Sequence, residues 1–183
     1  MAIKIEDIFT EAFDVFKANW VSLVLATLVL AVGSVFIITG PPLMYGFFIM
    51  CLRAVKKESI EVLDILKGFD YFLRSWRIFL GAAVVIAIGF VLLVLPGIAL
   101  LILLIYSMPL SIEKNLKAVE SLKGSYRLGR ENLEFTIILA VITYAINVIG
   151  GWIVIGSIVT IPFTALCVAA ATIRLLEKVE VRG

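Results

Sequence analysis

Four arginines, Arg74, Arg77, Arg127 and Arg130, stand shortly before two long apolar stretches of this chain. A guanidinium presents a planar fork of donors that suits the oxygens of a phosphate. At the edge of an apolar segment the expected phosphate is that of a lipid headgroup. The same side chains would also fix the orientation of those segments by snorkelling. Little else in the sequence could do reactive chemistry. Among 183 residues there is no histidine, so the usual general base and the commonest metal ligand are missing. No phosphate-binding loop, dinucleotide fingerprint or carboxylate pair within an apolar stretch occurs. Cys51 and Cys167 are isolated in apolar sequence and read as buried packing thiols. The expectation is a non-enzymatic protein without metal or cofactor.

The apolar stretches hold only mild polar side chains: Thr27, Ser34, Tyr45, Ser107, Thr143, Tyr144, Asn147, Ser157, Thr160 and Thr164. Most serines and threonines in such settings bond back to their own helix or across to a neighbour. Ser107, Thr143 and Asn147 are the candidates for lining a cavity, because intramembrane polar groups are where transport sites are built. Asn147 is the costliest, and it either caps a helix end or lines a path. Pro109 and Pro162 are expected to bend the helices that carry them.

The elements that must position these residues follow from charge. The chain is 62% hydrophobic and 16% charged, with mean hydropathy +1.13. A chain of this size cannot hide such an excess inside a water-soluble globule. Residues 18–52, 78–112 and 135–173 contain no Asp, Glu, Lys or Arg. Each stretch is too long for one crossing of about 20 residues and nearly long enough for two. Each is also broken by turn chemistry, "GPP" at 40–42, "PG" at 96–97 and "GG" at 150–151. The spacing predicts an all-α membrane protein. Its six transmembrane helices, near 21–39, 43–54, 78–95, 98–112, 135–149 and 152–173, form three helical hairpins; the arms are short for a core of about 30 Å, so the alternative is that some hairpins dip in without fully crossing. All formal charge lies outside these stretches, so the positive-inside rule puts both termini and both long connections in the cytoplasm of a multi-pass cell-membrane protein. The start, "MAIKIEDIF", lacks a basic n-region, and no signal peptide is expected.

"FDVFKANW" at 13–20 is echoed by "FDYFLRSW" at 69–76. Gly33 falls 56 residues before Gly89, and "LKG" at 66–68 the same distance before "LKG" at 122–124. A triplicated single domain over 1–183 is expected, with repeats 1–56, 57–112 and 113–183. Each repeat would be one amphipathic surface helix followed by one hairpin. The apolar faces of these helices run through Ile5, Ile8, Phe9, Ala12, Phe13 and Phe16, then Leu63, Leu66, Phe69, Phe72, Leu73 and Trp76, then Leu116, Val119, Leu122, Tyr126 and Leu133. Trp20 and Trp76 would sit at the membrane boundary. The small column Ala12, Gly68 and Gly124 is expected where these helices approach another backbone, with alanine at 68 and 124 tolerated and leucine not; the alternative is that each glycine is a hinge before its hairpin, which alanine would harm.

"AVESLKGSYRLGRENLEFTIIL" (118–139) and "EVLDILKGFDYFLRSWRIFLGA" (61–82) resemble the repeated signature of a broad group of prokaryotic integral membrane proteins. The group includes the membrane domain attached to some glycerophosphodiester phosphodiesterases. The resemblance implies a membrane domain without activity of its own, and no phosphodiesterase chemistry is expected here. Segments 53–77 and 113–134 mix acids with bases and read as solvated faces, so no nucleic-acid partner is expected. Membrane lipids are the expected partners. A homo-oligomer or a partner membrane protein stays open, with Ala83/Ala87 and Ala165/Ala169 as small faces on which helices could meet. The absence of Gln and the presence of four Asn lean towards a thermophile. The function expected is scaffolding or lipid organisation; the alternative is a channel or transporter for a small solute.

Overall fold

The computed structural model describes residues 3–152 and 154–180. Ile153, inside the sixth expected span, and the terminal residues lie outside the described ones. Helix α1 is Ile5–Gly33 and α2 is Gly40–Val55. A 3-10 helix, Val62–Tyr71, leads into α3, Phe72–Leu92. Then come α4, Val94–Leu103; α5, Ser107–Glu113; α6, Ala118–Glu131; α7, Leu133–Gly151; and α8, Val154–Glu180. All regular structure among the described residues is helical.

The reversals fall beside the expected turn signals, and proline explains why. Pro41 and Pro42 open α2, and the first reversal is 34–39. Pro96 lies in the first turn of α4, and the second reversal is made by Leu93 in an extended conformation (φ −165°, ψ 153°). Proline lacks only an N–H that the first turn of a helix leaves unpaired in any case. Gly150 and Gly151 do end α7. Pro109 lies in the first turn of α5, just after the break that separates it from α4, and Pro162 is accommodated inside α8.

The first arms of the hairpins are the α1 residues past Asn19, α3 and α7. The second arms are α2, α4–α5 and α8. The second arms meet one another at the centre, and each first arm packs on its own second arm. The apolar window of Gly156–Val179 is 61% buried against 17% for that of Val62–Leu92, so the first arms form the outer layer. Large apolar side chains on these outer helices, Val84, Ile88 and Val91 on α3 and Val141 and Tyr144 on α7, are exposed. Such a surface needs hydrocarbon around it.

The three amphipathic helices do not lie free on the surface. Each packs on the second arm of the preceding hairpin, and the first closes the ring by packing on α8. Phe9 and Phe16 meet Phe163, and Arg174 donates to Glu11. The 3-10 helix packs on α2, and α6 packs on α4 and α5. The buried positions of these helices are Ile8, Ala12 and Val15; Asp64, Ile65 and Gly68; and Ala118, Ser121, Ser125 and Leu128. Phe13, Leu63, Leu66, Leu73 and Val119 of the expected apolar faces point outward instead. In a bilayer large apolar side chains are at ease towards lipid, and small ones let helices approach.

The small column also shifts by one residue. Ser125, fully buried, donates to the Leu103 carbonyl at 2.8 Å, whereas Gly124 faces the Leu110 side chain. Counted from the N-caps Lys4, Glu61 and Lys117, the inward residue is Ala12, Gly68 or Ser125. That is eight residues on in the two α-helices and seven in the 3-10 helix. At 3.6 and 3.0 residues per turn, both counts make roughly 2.2–2.3 turns. Overwinding therefore brings the same face round one residue early.

The first hairpin is the short one. Asn19 breaks helical geometry inside α1 (φ −123°, ψ 18°), so residues 20–33 form its membrane arm, about 21 Å long. The 16 residues of α2 rise about 24 Å, against a hydrocarbon core of about 30 Å. Five helical stretches are long and apolar enough to cross a bilayer, and α2 is not among them. The indole N–H of Trp76 donates to the Ile38 carbonyl at 3.0 Å. The tip of the first hairpin thus lies beside the start of α3, and among the described residues the α2 span is the expected one that falls short of crossing length.

Candidate functional site

Because the first hairpin stops short, hairpins two and three flank a space that it does not fill. The result is a cavity of about 1230 Å³. The end of α1 and the start of α2 contribute Leu30, Ile37, Pro41, Met44 and Phe47; α3 adds Phe79. One wall is α4, with Ile98, Leu101 and Ile102, continued by Ile105 in the break before α5, and another is α7 and α8. Ile37, Phe79, Ile98 and Tyr144 are exposed and form the rim. Among the described residues no Asp, Glu, Lys or Arg lines the cavity.

Among the described residues the polar lining is Thr143, Tyr144, Asn147 and Thr164 on the α7–α8 side, with Thr27 and Ser34 opposite. Thr27 Oγ1 donates to Leu23 O at 2.8 Å, Thr143 Oγ1 to Leu139 O at 2.8 Å and Thr164 Oγ1 to Thr160 O at 2.9 Å. Asn147 Nδ2 donates to Thr143 O and to Thr164 Oγ1, both at 2.9 Å. Its carbonyl oxygen, Oδ1, is buried without a partner. Asn147 therefore bridges the two arms of hairpin three near its tip. Of the expected lining residues, Thr143 and Asn147 are brought together. Ser107 is not: it is buried at the α4–α5 break, where its hydroxyl donates to Leu104 O at 2.6 Å. The partner that sequence reasoning did not single out is Thr164. Its signal was a hydroxyl placed across the hairpin turn from Asn147.

The four arginines do not form one cluster. Arg74 donates to Asn115 Oδ1 at 2.6 Å and stands 5.2 Å from the Tyr71 ring centroid. Arg127 pairs with Glu131 at 3.2 Å on the exposed side of α6. Arg77 and Arg130 are exposed. Arg74 meets Asn115 just ahead of α6 and Arg130 is in the last turn of that helix, so about 20 Å of helix lies between those two. Cys51 and Cys167 are both fully buried, on α2 and α8. Among the described residues no three His, Cys, Asp or Glu side chains are grouped as a metal site requires.

An all-helical chain with long, outward-facing apolar helices around a charge-free cavity is a multi-pass membrane protein. The chain belongs to the family described as "Domain of unknown function (DUF7847)", whose model matches residues 4–180. No curated protein and no solved structure matches it.

Proposed function

We propose that the protein is a non-enzymatic, lipid-organising component of the cell membrane that takes lipid hydrocarbon chains into the cavity between its hairpins. One observation carries this reading: a space of about 1230 Å³ at membrane depth is walled by apolar side chains and bears no formal charge. Hydrocarbon fills such a space favourably, whereas an ion would find no compensating group. Transport is the weaker reading, because the second arms meet at the centre of the bundle. The experiment is lipid retention. Purified protein is expected to keep membrane lipid through detergent exchange, and Ala140→Phe, which fills the cavity, to lose it while staying folded. Unchanged retention in that variant would sink the reading, and solute flux in liposomes would put transport in its place.

The architecture we infer with it is a triplicated unit in which hairpins two and three cross the bilayer and hairpin one is re-entrant from the cytoplasmic side. Both termini stay cytoplasmic. The triplication is supported by the ring of amphipathic helices, each on the preceding second arm. It is also supported by matching N-caps 56 residues apart: the Glu61 N–H donates to Asp64 Oδ2 at 3.0 Å and the Lys117 N–H to Glu120 Oε2 at 3.2 Å. The likeness to the phosphodiesterase-linked membrane domains belongs to this repeat unit. Arg77 and Arg130, both exposed, are the side chains we assign to lipid phosphates. In intact cells, single cysteines at 93 and 152 are expected to react with an impermeant maleimide from outside, and one at 36 not to. Outside labelling at 36 would restore three crossing hairpins.

A further inference from the structure

We infer that the tip of the first hairpin is a gate on the cavity, latched to α3 by Trp76 and with a second apolar space to swing into; this rests on the lipid-accommodating reading above. Residues 34–39 form a unit bonded within the hairpin. The Val35 and Phe36 N–H groups donate to Val32 O and Gly33 O, the Thr39 N–H donates to Phe36 O, and the Thr39 hydroxyl meets the Gly33 and Phe36 carbonyls. Among the described residues one hydrogen bond ties this unit to the rest of the protein, the 3.0 Å bond from the Trp76 indole N–H to Ile38 O.

Packing does little to hold the unit in place. Val35, Phe36, Ile37 and Ile38 are each at least 66% exposed. Apolar space lies on both sides of it. Ser34, Ile37 and Gly40 line the cavity of about 1230 Å³. Gly33, Phe36 and Thr39 line a second space of about 500 Å³, which Leu66 and Phe69 of the 3-10 helix also line. The tip is thus a partition between two spaces. The α2 arm behind it is fixed, because the Pro42 carbonyl and the Gly46 backbone lie against Gly68. Movement therefore falls on residues 34–39, between Gly33, which ends α1, and Gly40, which opens α2. Hinges are a few positions of this kind at the ends of elements. Trp76 sets the resting position. Its ring meets that of Phe79 edge-on at 6.0 Å between centroids, and Phe79, like Ile37, stands in the cavity rim. With the latch made, the tip stays at the mouth; with it broken, the tip can move into the second space and widen the mouth for a hydrocarbon chain. A segment with so few buried contacts opens at low free energy.

The test uses the whole protein in detergent, saturated with a phospholipid that carries a fluorophore on one chain. Its release into an excess of unlabelled phospholipid micelles is timed. Trp76→Phe keeps an aromatic ring against Phe79 and removes the N–H. It should speed release about fivefold, the worth of one hydrogen bond, and leave the amount bound at saturation unchanged. Val29 lines the second space and not the cavity. Val29→Phe should therefore slow release several-fold by filling the recess. Opposite signs separate a gate from a loosened fold, which would speed release in both variants. Where Val29→Phe does not fold, Leu28→Phe fills the same space. Three results would each overturn the gate and leave the lipid reading intact: release at the wild-type rate in Trp76→Phe, unchanged or faster release in the space-filling variant, or a loss of saturation in step with faster release. Wild-type protein that takes up no phospholipid overturns both.

Discussion

Gly68→Ala is expected to be among the most damaging conservative changes in this protein, costing about 3 kcal/mol or more. A Cβ at Gly68 would lie 2.5 Å from Gly46 N and 2.9 Å from Gly46 Cα, and closer still to the Pro42 carbonyl oxygen. A Cβ at Gly46 would run into the Ile65 carbonyl group in the same way. These obstacles are backbone, so no rotamer change relieves them; the 3-10 helix and α2 must part. Overpacking of a core typically costs about 1–3 kcal/mol when side chains can adjust, and more when they cannot. Gly124 makes the contrast. A Cβ there meets only Leu110 Cδ2, at 2.7 Å, the end of a flexible side chain, and Gly124→Ala should cost under about 1 kcal/mol. The expectation from sequence that alanine is tolerated throughout the small column thus fails at Gly68, where the approach is backbone to backbone. Thermal unfolding in detergent reads the difference. Gly46→Ala should match Gly68→Ala, and the pair together should cost little more than either alone, because one separation relieves both. Additive losses, or a stable Gly68→Ala protein, would contradict this contact.

What could be read from the sequence was set by charge. Uncharged stretches at 18–52, 78–112 and 135–173 gave the hairpins, because lipid tolerates ionised groups nowhere else along them. Two features escaped. The first is which hairpin is the short one. Its uncharged stretch is as long as the second, but residues 34–39 are used in the reversal, whereas Leu93 alone turns the second. Length does not reveal how much of a stretch becomes turn. The second is which face packs inward. Periodicity marked Leu63, Leu66 and Leu73, and these are exposed, while Gly68 and Ser125 are buried against protein. In water the apolar face is the packed face; in a bilayer the driving force between apolar faces disappears and closeness of approach decides. The candidate site inherits both misses. Asn147 and Thr143 stood out by polarity, but the cavity exists because the first hairpin is short, and its polar wall is completed by Thr164 from the other arm.

Asp64→Asn is expected to destabilise the protein by about 2 kcal/mol at neutral pH and by much less in acid. Asp64 is buried at the third position of the 3-10 helix, where it ties that helix to the end of α2. Its Oδ2 accepts from Arg53 Nη1 at 2.9 Å and from the Glu61 N–H at 3.0 Å, and Lys67 Nζ stands 2.6 Å from Oδ1. Burial pushes the carboxyl pKa up. The hydrogen bonds from Lys67 and the Glu61 N–H, with the charges of Arg53 and Lys67, outweigh burial and hold it below the usual carboxylate range. A depressed folded-state pKa means that the unfolded chain takes up the proton more readily. The stabilisation is therefore fully present above the unfolded value, about 4, and is lost as pH falls through the folded value. Asparagine keeps the shape but not the charge, and hydrogen bonds to a charged group contribute about 1.5–3 kcal/mol. Arg53 also pairs with Glu58, at 2.9 Å, so absolute stability does not isolate Asp64. The quantity to read is accordingly the difference between wild type and variant. In detergent, that difference in unfolding temperature should be largest at pH 7 and shrink steadily below pH about 4. A difference that stays constant down to pH about 2 would mean that Asp64 contributes through shape alone, and that the Arg53–Asp64–Lys67 cluster is not what clamps the 3-10 helix to α2.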